Sequence, residues 1–107
     1  MIYHVKIAEQ ALFDMRMIYK YIANELIEPV IAEKQYTRIE TAVYSLYRMP
    51  ERFRQYKKEP WRSRNLRVMP VDNYIVFYTV DNENRLVTVI RIMYSRRNTE
   101  KELDDIA

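Results

Sequence analysis

Residues 66–98 read LRVMPVDNYIVFYTVDNENRLVTVIRIMYSRRN, and this stretch decides the fold. Runs rich in Val, Ile, Tyr and Phe between polar turns predict three strands, at about 64–70, 74–80 and 87–93. Their connections, Asp72–Asn73 and residues 81–85, are short and polar. Short connections join neighbouring antiparallel strands, so we expect the three strands to form a meander.

Two helices are predicted ahead of these strands. Apolar residues recur at steps of three and four from Ala8 to about Leu26, and again from Pro29 to about Arg48. Few residues separate the two helices, so they are expected to form an antiparallel hairpin. A strand-like segment, Ile2–Ile7, precedes them, and residues 99–107 read as a helical turn or a frayed tail.

The predicted fold is therefore a small α+β domain with the order β-α-α-β-β-β. A chain of 107 residues suggests a single domain over residues 1–107. We expect an antiparallel sheet with the helical hairpin packed on one face. The other face of the sheet would then be left open for a partner, such as a peptide that wraps the domain.

Composition excludes several classes of site. The chain has no cysteine, which excludes disulfides, zinc–thiolate centres and thiol nucleophiles. It has no glycine, which argues against phosphate-cradling loops of the Walker or Rossmann kind. Its one histidine, His4, lies in the first strand without a nucleophile motif. No cofactor or metal is expected, no apolar run reaches membrane-spanning length, and a cytoplasmic location is expected.

Positive charge is concentrated in one segment. The net charge is +3, but residues 52–67 hold seven cations against one anion, Glu59. A local positive field favours a docking surface for an anionic partner. The residues predicted to bind a nucleic acid or another target are Arg52, Arg54, Lys57, Lys58, Trp61, Arg62, Arg64 and Arg91.

The last predicted strand ends in a second basic group, Tyr94, Arg96 and Arg97, here called the rim. RNA carries its own nucleophile, the 2′-hydroxyl, so a protein can cleave it by positioning it and stabilising the phosphate. Arginines suit that role because guanidinium contacts phosphate in a bidentate manner. The predicted catalytic residues are Arg67, Tyr94, Arg96 and Arg97, with Tyr94 stacking on a base or relaying a proton. Alternatively, Arg96 and Arg97 only cap and solubilise the end of a strand.

The whole chain resembles the RelE/ParE superfamily of toxins from type II toxin–antitoxin systems. The likeness rests on a helix containing Asp14–Met15 and on a second helix ending in Met49–Pro50–Glu51–Arg52. It continues through Leu66–Arg67–Val68, Asn73–Tyr78 and Ile90–Asn98.

The resemblance implies a growth-arresting toxin that a cognate antitoxin neutralises. RelE-like members cleave mRNA on the ribosome, whereas ParE-like members poison DNA gyrase. We expect ribosome-dependent mRNA cleavage here, with gyrase poisoning as the alternative and a non-toxic binding protein as a third possibility. The antitoxin is expected to cover the sheet face and the basic surface. Two positions depart from the RelE-like pattern, because Ile75 and Tyr94 stand where relatives often carry arginine and histidine.

Overall fold

A computed structural model describes all residues from 1 to 107. The elements are β1 (His4–Ile7), α1 (Glu9–Lys20), α2 (Pro29–Tyr44), β2 (Leu66–Val71), β3 (Tyr74–Asp81), β4 (Leu86–Tyr94) and α3 (Thr99–Asp105). A π-helical segment, Tyr21–Glu25, extends α1. The α+β class and the predicted order are confirmed, with α3 as an added helix. None of the helices combines the length and the apolar character needed to cross a bilayer.

The four strands form one mixed sheet in the order β1–β4–β3–β2. β2, β3 and β4 are antiparallel neighbours, so the meander is confirmed. The prediction of a wholly antiparallel sheet was wrong, because β1 runs parallel to β4, with His4 opposite Leu86 and Ile7 opposite Val89. No tight turn joins β1 to β4, because the helical hairpin, β2 and β3 lie between them in the chain. A connection of that length permits parallel pairing.

The helical hairpin covers one face of the sheet, as predicted. The buried side chains of this layer are Ala11, Met15, Ile39, Val43, Leu46, Met69, Val76, Tyr78, Val80, Val87, Val89 and Ile92. Tyr78 is fully buried, and its hydroxyl donates to the Pro50 carbonyl at 2.6 Å. Burial raises the pKa of Tyr78 to about 12, so the phenol stays neutral at physiological pH.

The opposite face of the sheet is covered too, and the expectation that it stays open for a partner was wrong. A second cluster contains Trp61, Leu66, Val68, Phe77, Met93 and Leu103. Leu103 is the one fully buried residue of α3, and Trp61 reaches the same cluster from the basic loop, residues 52–64. A single leucine within an acidic tail is a weak sequence signal, yet it closes this face.

Candidate functional site

The rim is a hydrogen-bonded turn between β4 and α3. The Arg97 N–H donates to the Tyr94 carbonyl at 3.0 Å. Asn98 then caps α3, because its side-chain oxygen accepts from the Lys101 N–H at 3.2 Å. These bonds hold the three rim residues directly after the last strand.

The rim side chains differ in their surroundings. Tyr94 is half-exposed, and its ring packs edge-on against Tyr74 with centroids 5.9 Å apart. Arg97 donates to Glu102 at 2.9 Å, whereas Arg96 is exposed and has no partner within the chain. The rim therefore presents an aromatic surface beside one paired and one unpaired guanidinium.

Arg91 does not belong to this exposed surface. It is buried, and its guanidinium donates twice to Asp14, at 2.8 and 3.0 Å, and once to Glu102 at 3.2 Å. The pKa of Arg91 is raised chiefly by the hydrogen bonds that its guanidinium donates to Asp14. The prediction that Arg91 binds a target disagrees with this position, because its donors are directed to carboxylates that tie α1 and α3 to β4.

Asp14 also completes the edge of β4. β1 pairs with β4 only as far as Val89, so beyond that point the N–H groups of β4 that face away from β3 lack a strand partner. The Asp14 carboxylate accepts from the Ile92 N–H at 2.9 Å and takes the place of the missing strand. Sequence reasoning missed this role, although Asp14 is the one acid within the apolar stripe formed by Ala11, Met15 and Ile18.

Glu102 was also missed, and it connects the buried arginine to the rim. One carboxylate oxygen accepts from Arg91 and the other accepts from Arg97. The hydrogen bond from Arg91, together with the charge of Arg97, lowers the pKa of Glu102. Glu102 therefore stays ionised at neutral pH and holds Arg97 near the end of the sheet.

Arg67 lies at the other end of the sheet from the rim. It pairs with Tyr78 on β3, and Tyr78 pairs with Val89 on β4. Tyr94 is five residues further along β4, which corresponds to roughly 16 Å at about 3.3 Å per residue. The structure therefore does not assemble the four predicted catalytic residues into one site.

The hydrogen bonds of Arg67 are also occupied within the chain. Its guanidinium donates to the Asn65 side chain at 3.1 Å, to the Glu51 carboxylate at 3.2 Å and to the Phe53 carbonyl at 3.1 Å. These contacts attach the start of the basic loop to the edge strand β2. In this arrangement Arg67 supports the fold and offers few donors to a phosphate.

The basic loop divides into paired and free cations. Lys58 is paired with Glu100 of α3, and Arg52 donates to the Arg48 carbonyl and the Ser45 hydroxyl. Arg64 lies over the Trp61 ring, 4.8 Å from its centroid. The exposed cations of the loop whose side chains have no hydrogen-bond, ion-pair or ring partner within the chain are Arg54, Lys57 and Arg62. Within the basic loop and the rim, these three and Arg96 are the cations most available to an anionic partner.

Trp61 does not contact solvent in the way that the sequence suggested. The residue is only 5% exposed, and its indole N–H donates to the Leu103 carbonyl at 3.2 Å. Tyr56 packs beside it, with its ring 6.3 Å from that of Phe77. Trp61 is therefore a core residue that fastens α3 to the sheet, and its predicted role in target binding is corrected.

A cleft of about 650 Å³ opens beside the rim. It runs between the helical hairpin and the ends of β3 and β4, and Tyr94 and Arg97 form part of its wall. Its apolar lining comes mainly from Met17, Ile18, Tyr21, Ile22, Leu26, Ile31, Tyr74, Ile92 and Met93. The rim is thus continuous with an apolar surface on the hairpin.

Several known structures share this fold. The chromosomal ParDE system from P. aeruginosa matches with a TM-score of 0.70 at 20% identity, over 87% of this chain and 96% of that chain. The RelBE2 toxin–antitoxin complex from Mycobacterium tuberculosis gives 0.63 at 18% identity, over 88% and 99% of the two chains. A mutant of E. coli toxin RelE in the free state gives 0.64 at 16% identity, over the full length of both chains. At these identities the likeness establishes the fold.

Sequence comparison establishes the family. No curated protein matches the chain significantly. The family profile of the ParE toxin of the type II toxin–antitoxin system parDE, however, matches residues 5–99, which is most of the chain. The chain therefore belongs to the ParE family of type II toxin–antitoxin toxins.

Proposed function

We propose that this toxin arrests growth by binding DNA gyrase through the rim and the free cations of the basic loop, without cleaving a substrate. The target is the one that the ParE-like side of the resemblance implies. The proposal replaces ribosome-dependent mRNA cleavage as the leading interpretation.

One observation carries the proposal: the rim presents two arginines and an aromatic ring, and the adjoining carboxylate, Glu102, is held in ion pairs with Arg91 and Arg97. Arg67 is held at the other end of the sheet by Glu51, and the guanidinium of Arg91 is buried in ion pairs with Asp14 and Glu102. The surroundings of Tyr94, Arg96 and Arg97 therefore support binding of a target better than they support proton transfer to or from a substrate.

The charges around α3 extend this binding surface. Glu100 contacts Lys58 of the basic loop, and Glu102 contacts Arg97 of the rim, so α3 lies between the two basic regions. Arg96 at one side of α3 and the loop cations at the other remain free. A protein surface with acidic residues, or a DNA segment bound to the target, matches this distribution of charge.

Purified gyrase provides the test. We expect the toxin to inhibit supercoiling and to increase cleaved plasmid DNA, and Arg96→Ala to weaken both effects by about tenfold or more. Arg16→Ala is the matched control, since Arg16 is an exposed, unpaired arginine on α1 outside the rim and the basic loop. Unchanged supercoiling at saturating toxin would overturn the proposal.

The second candidate function is ribosome-dependent mRNA cleavage. It is favoured by the adjacency of Tyr94, Arg96 and Arg97 on one turn, which could hold a base and a phosphate together. Programmed ribosomes with end-labelled mRNA separate the two functions. Cuts in the ribosomal A site that disappear in Arg97→Ala would support cleavage, whereas intact mRNA together with gyrase inhibition supports the leading proposal.

A cognate antitoxin completes the proposed module. The matched ParDE and RelBE structures are toxin–antitoxin systems, which supports a partner of the same kind for this chain. The expectation that the antitoxin covers the open sheet face needs revision, because α3 already occupies that face. The covered surface is better sought on the hairpin side of the molecule.

A further inference from the structure

The basic loop is fastened to the rest of the domain at both of its ends. The Tyr56 N–H donates to the Leu66 carbonyl at 2.8 Å, and the Val68 N–H donates to the Arg54 carbonyl at 3.0 Å, so the start of the loop lies along the edge strand β2. Trp61 anchors the rest of the loop in the second cluster. The loop cations therefore project from an ordered backbone, which lowers the entropic cost of binding a partner.

The loop lies beside α3, on the face of the sheet that α3 covers. Tyr56 packs against the second cluster on this face, and Arg54 lies two residues before it in an extended segment, so the two side chains point to the same side. Lys58 pairs with α3, and Arg64 donates to the terminal Ala107 oxygen at 3.4 Å. The loop cations are thus held within one short segment next to α3.

Positive charge exceeds negative charge in this segment. The loop holds six cations and one acid, Glu59, which accepts two hydrogen bonds from Ser63. α3 holds four acids and one lysine, and three of these acids already contact cations, namely Glu100, Glu102 and Asp105. Arg54, Lys57 and Arg62 are left without a partner. A ligand that carries several negative charges complements these three side chains.

The aromatic residues of the loop do not offer an exposed anchor. Trp61 is buried with Arg64 over its ring, and Phe53 and Tyr56 are half-buried. Protein interfaces are centred on aromatic or aliphatic anchors, and single-stranded nucleic acids stack on exposed rings. The phosphate backbone of a duplex, in contrast, is bound through cations alone. The loop therefore matches a nucleic-acid duplex better than it matches a protein or a single strand.

We propose that the basic loop binds the phosphate backbone of duplex DNA through Arg54, Lys57 and Arg62, while the rim contacts the protein part of the target. The choice of DNA rests on the proposed function, because DNA is the duplex that gyrase holds. The contacts are made to phosphates only, so binding is independent of base sequence. The toxin then binds the complex of gyrase with DNA more tightly than it binds gyrase alone.

The test measures binding of the purified toxin to a short fluorescent DNA duplex by anisotropy, without gyrase, from low to physiological salt. We expect the wild type to bind and its affinity to fall as salt rises. In the triple variant Arg54→Ala/Lys57→Ala/Arg62→Ala, the dissociation constant at low salt should rise about tenfold or more. The slope of log affinity against log salt should fall by about one for each cation that contacts a phosphate.

The matched control is Arg16→Ala/Lys20→Ala/Lys34→Ala. These three cations are exposed on the helical hairpin and have no partner within the chain, so the control has the same net charge as the loop variant. Affinity for the duplex and the salt slope should stay close to those of the wild type. All six substituted residues are exposed, so both variants are expected to keep the wild-type circular dichroism spectrum and melting temperature.

Four outcomes would overturn the DNA surface. These are no binding of the wild type to the duplex at low salt, wild-type affinity in the loop variant, an equal loss in the control, and tighter binding to an RNA duplex than to DNA. Binding to gyrase in the absence of DNA is measured in parallel and should be equal in the wild type and the loop variant. A loss there would assign the loop to a protein partner instead.

The supercoiling assay separates this inference from the proposed function. Loop-dependent DNA binding without gyrase inhibition at saturating toxin would refute the target and leave the DNA surface standing. Gyrase inhibition by a toxin whose loop variant binds DNA like the wild type would refute the DNA surface and leave the target standing.

Discussion

Two arginine–aspartate pairs of this protein have nearly the same geometry and opposite surroundings. Arg91 and Asp14 form two hydrogen bonds of 2.8 and 3.0 Å, and Arg38 and Asp72 form two of 2.8 and 2.7 Å. The side chains of the first pair are 6% and 7% exposed, and those of the second are 65% and 30% exposed. Burial, and not bond length, decides how much each pair contributes to stability, because water screens the exposed pair and not the buried one.

Removing one member of the buried pair should have the largest effect on stability. Asp14→Ala leaves the Arg91 guanidinium buried and largely uncompensated and frees the Ile92 N–H at the edge of β4. We expect the free energy of unfolding, measured in urea, to fall by about 3–5 kcal/mol. Asp72→Asn removes the charge of the exposed pair and keeps a residue type that tolerates the left-handed backbone at this position, so it should cost less than about 1 kcal/mol.

The double variant Asp14→Ala/Arg91→Met tests whether the loss comes from the orphaned charge. Removing both partners eliminates the buried charge, so the double variant should be more stable than Asp14→Ala alone. Equal costs for Asp14→Ala and Asp72→Asn would contradict the comparison between the two pairs.

The next largest effect is expected at α3, which supplies Glu102 to the buried pair. Leu103→Ala removes the buried side chain that holds α3 on the sheet. We expect the free energy of unfolding to fall by about 2 kcal/mol. This value is at the low end for such substitutions because a short terminal helix can detach locally. Trp61 is the single tryptophan and packs under Leu103. In Leu103→Ala, the fluorescence emission of Trp61 should therefore shift to longer wavelength. The half-exposed Ile106, changed to alanine, should leave the emission unchanged.

A smaller, pH-dependent effect is expected at the exposed pair. The hydrogen bond from Arg38, followed by that from Gln35, lowers the pKa of Asp72 from 3.8 to about 2. A carboxylate with a depressed folded-state pKa stabilises the fold above its unfolded pKa, and this contribution is lost as the pH falls towards 2. In Arg38→Gln, we expect an NMR titration to show the pKa of Asp72 closer to 3.8. If the pKa of Asp72 stays near 2 in this variant, its shift is caused by Gln35 or by the backbone of the β2–β3 turn.

The sequence predicted the parts of this fold that depend on local patterns. The helical hairpin and the β2–β4 meander follow from periodicity and short turns, and both are present. The parallel pairing of β1 and the packing of α3 depend on contacts between distant segments, which periodicity does not encode. Arg67 and Arg91 were assigned to a site by residue type alone. Their register and burial give them structural partners instead, and Arg96, with the same side chain, has none.

Arg96 should therefore show the smallest effect on stability and a clear effect on activity. Its side chain is exposed and unpaired, so Arg96→Ala should change the free energy of unfolding by less than about 0.5 kcal/mol. If the rim binds the target, growth arrest on expression should nevertheless weaken, while Arg16→Ala remains as toxic as the wild type.

Arg91→Ala should give the opposite pattern, with reduced soluble protein and a large loss of stability, because Asp14 would be left buried without its cation. Full toxicity in Arg96→Ala at equal protein levels would show that the unpaired arginine of the rim contributes only solubility.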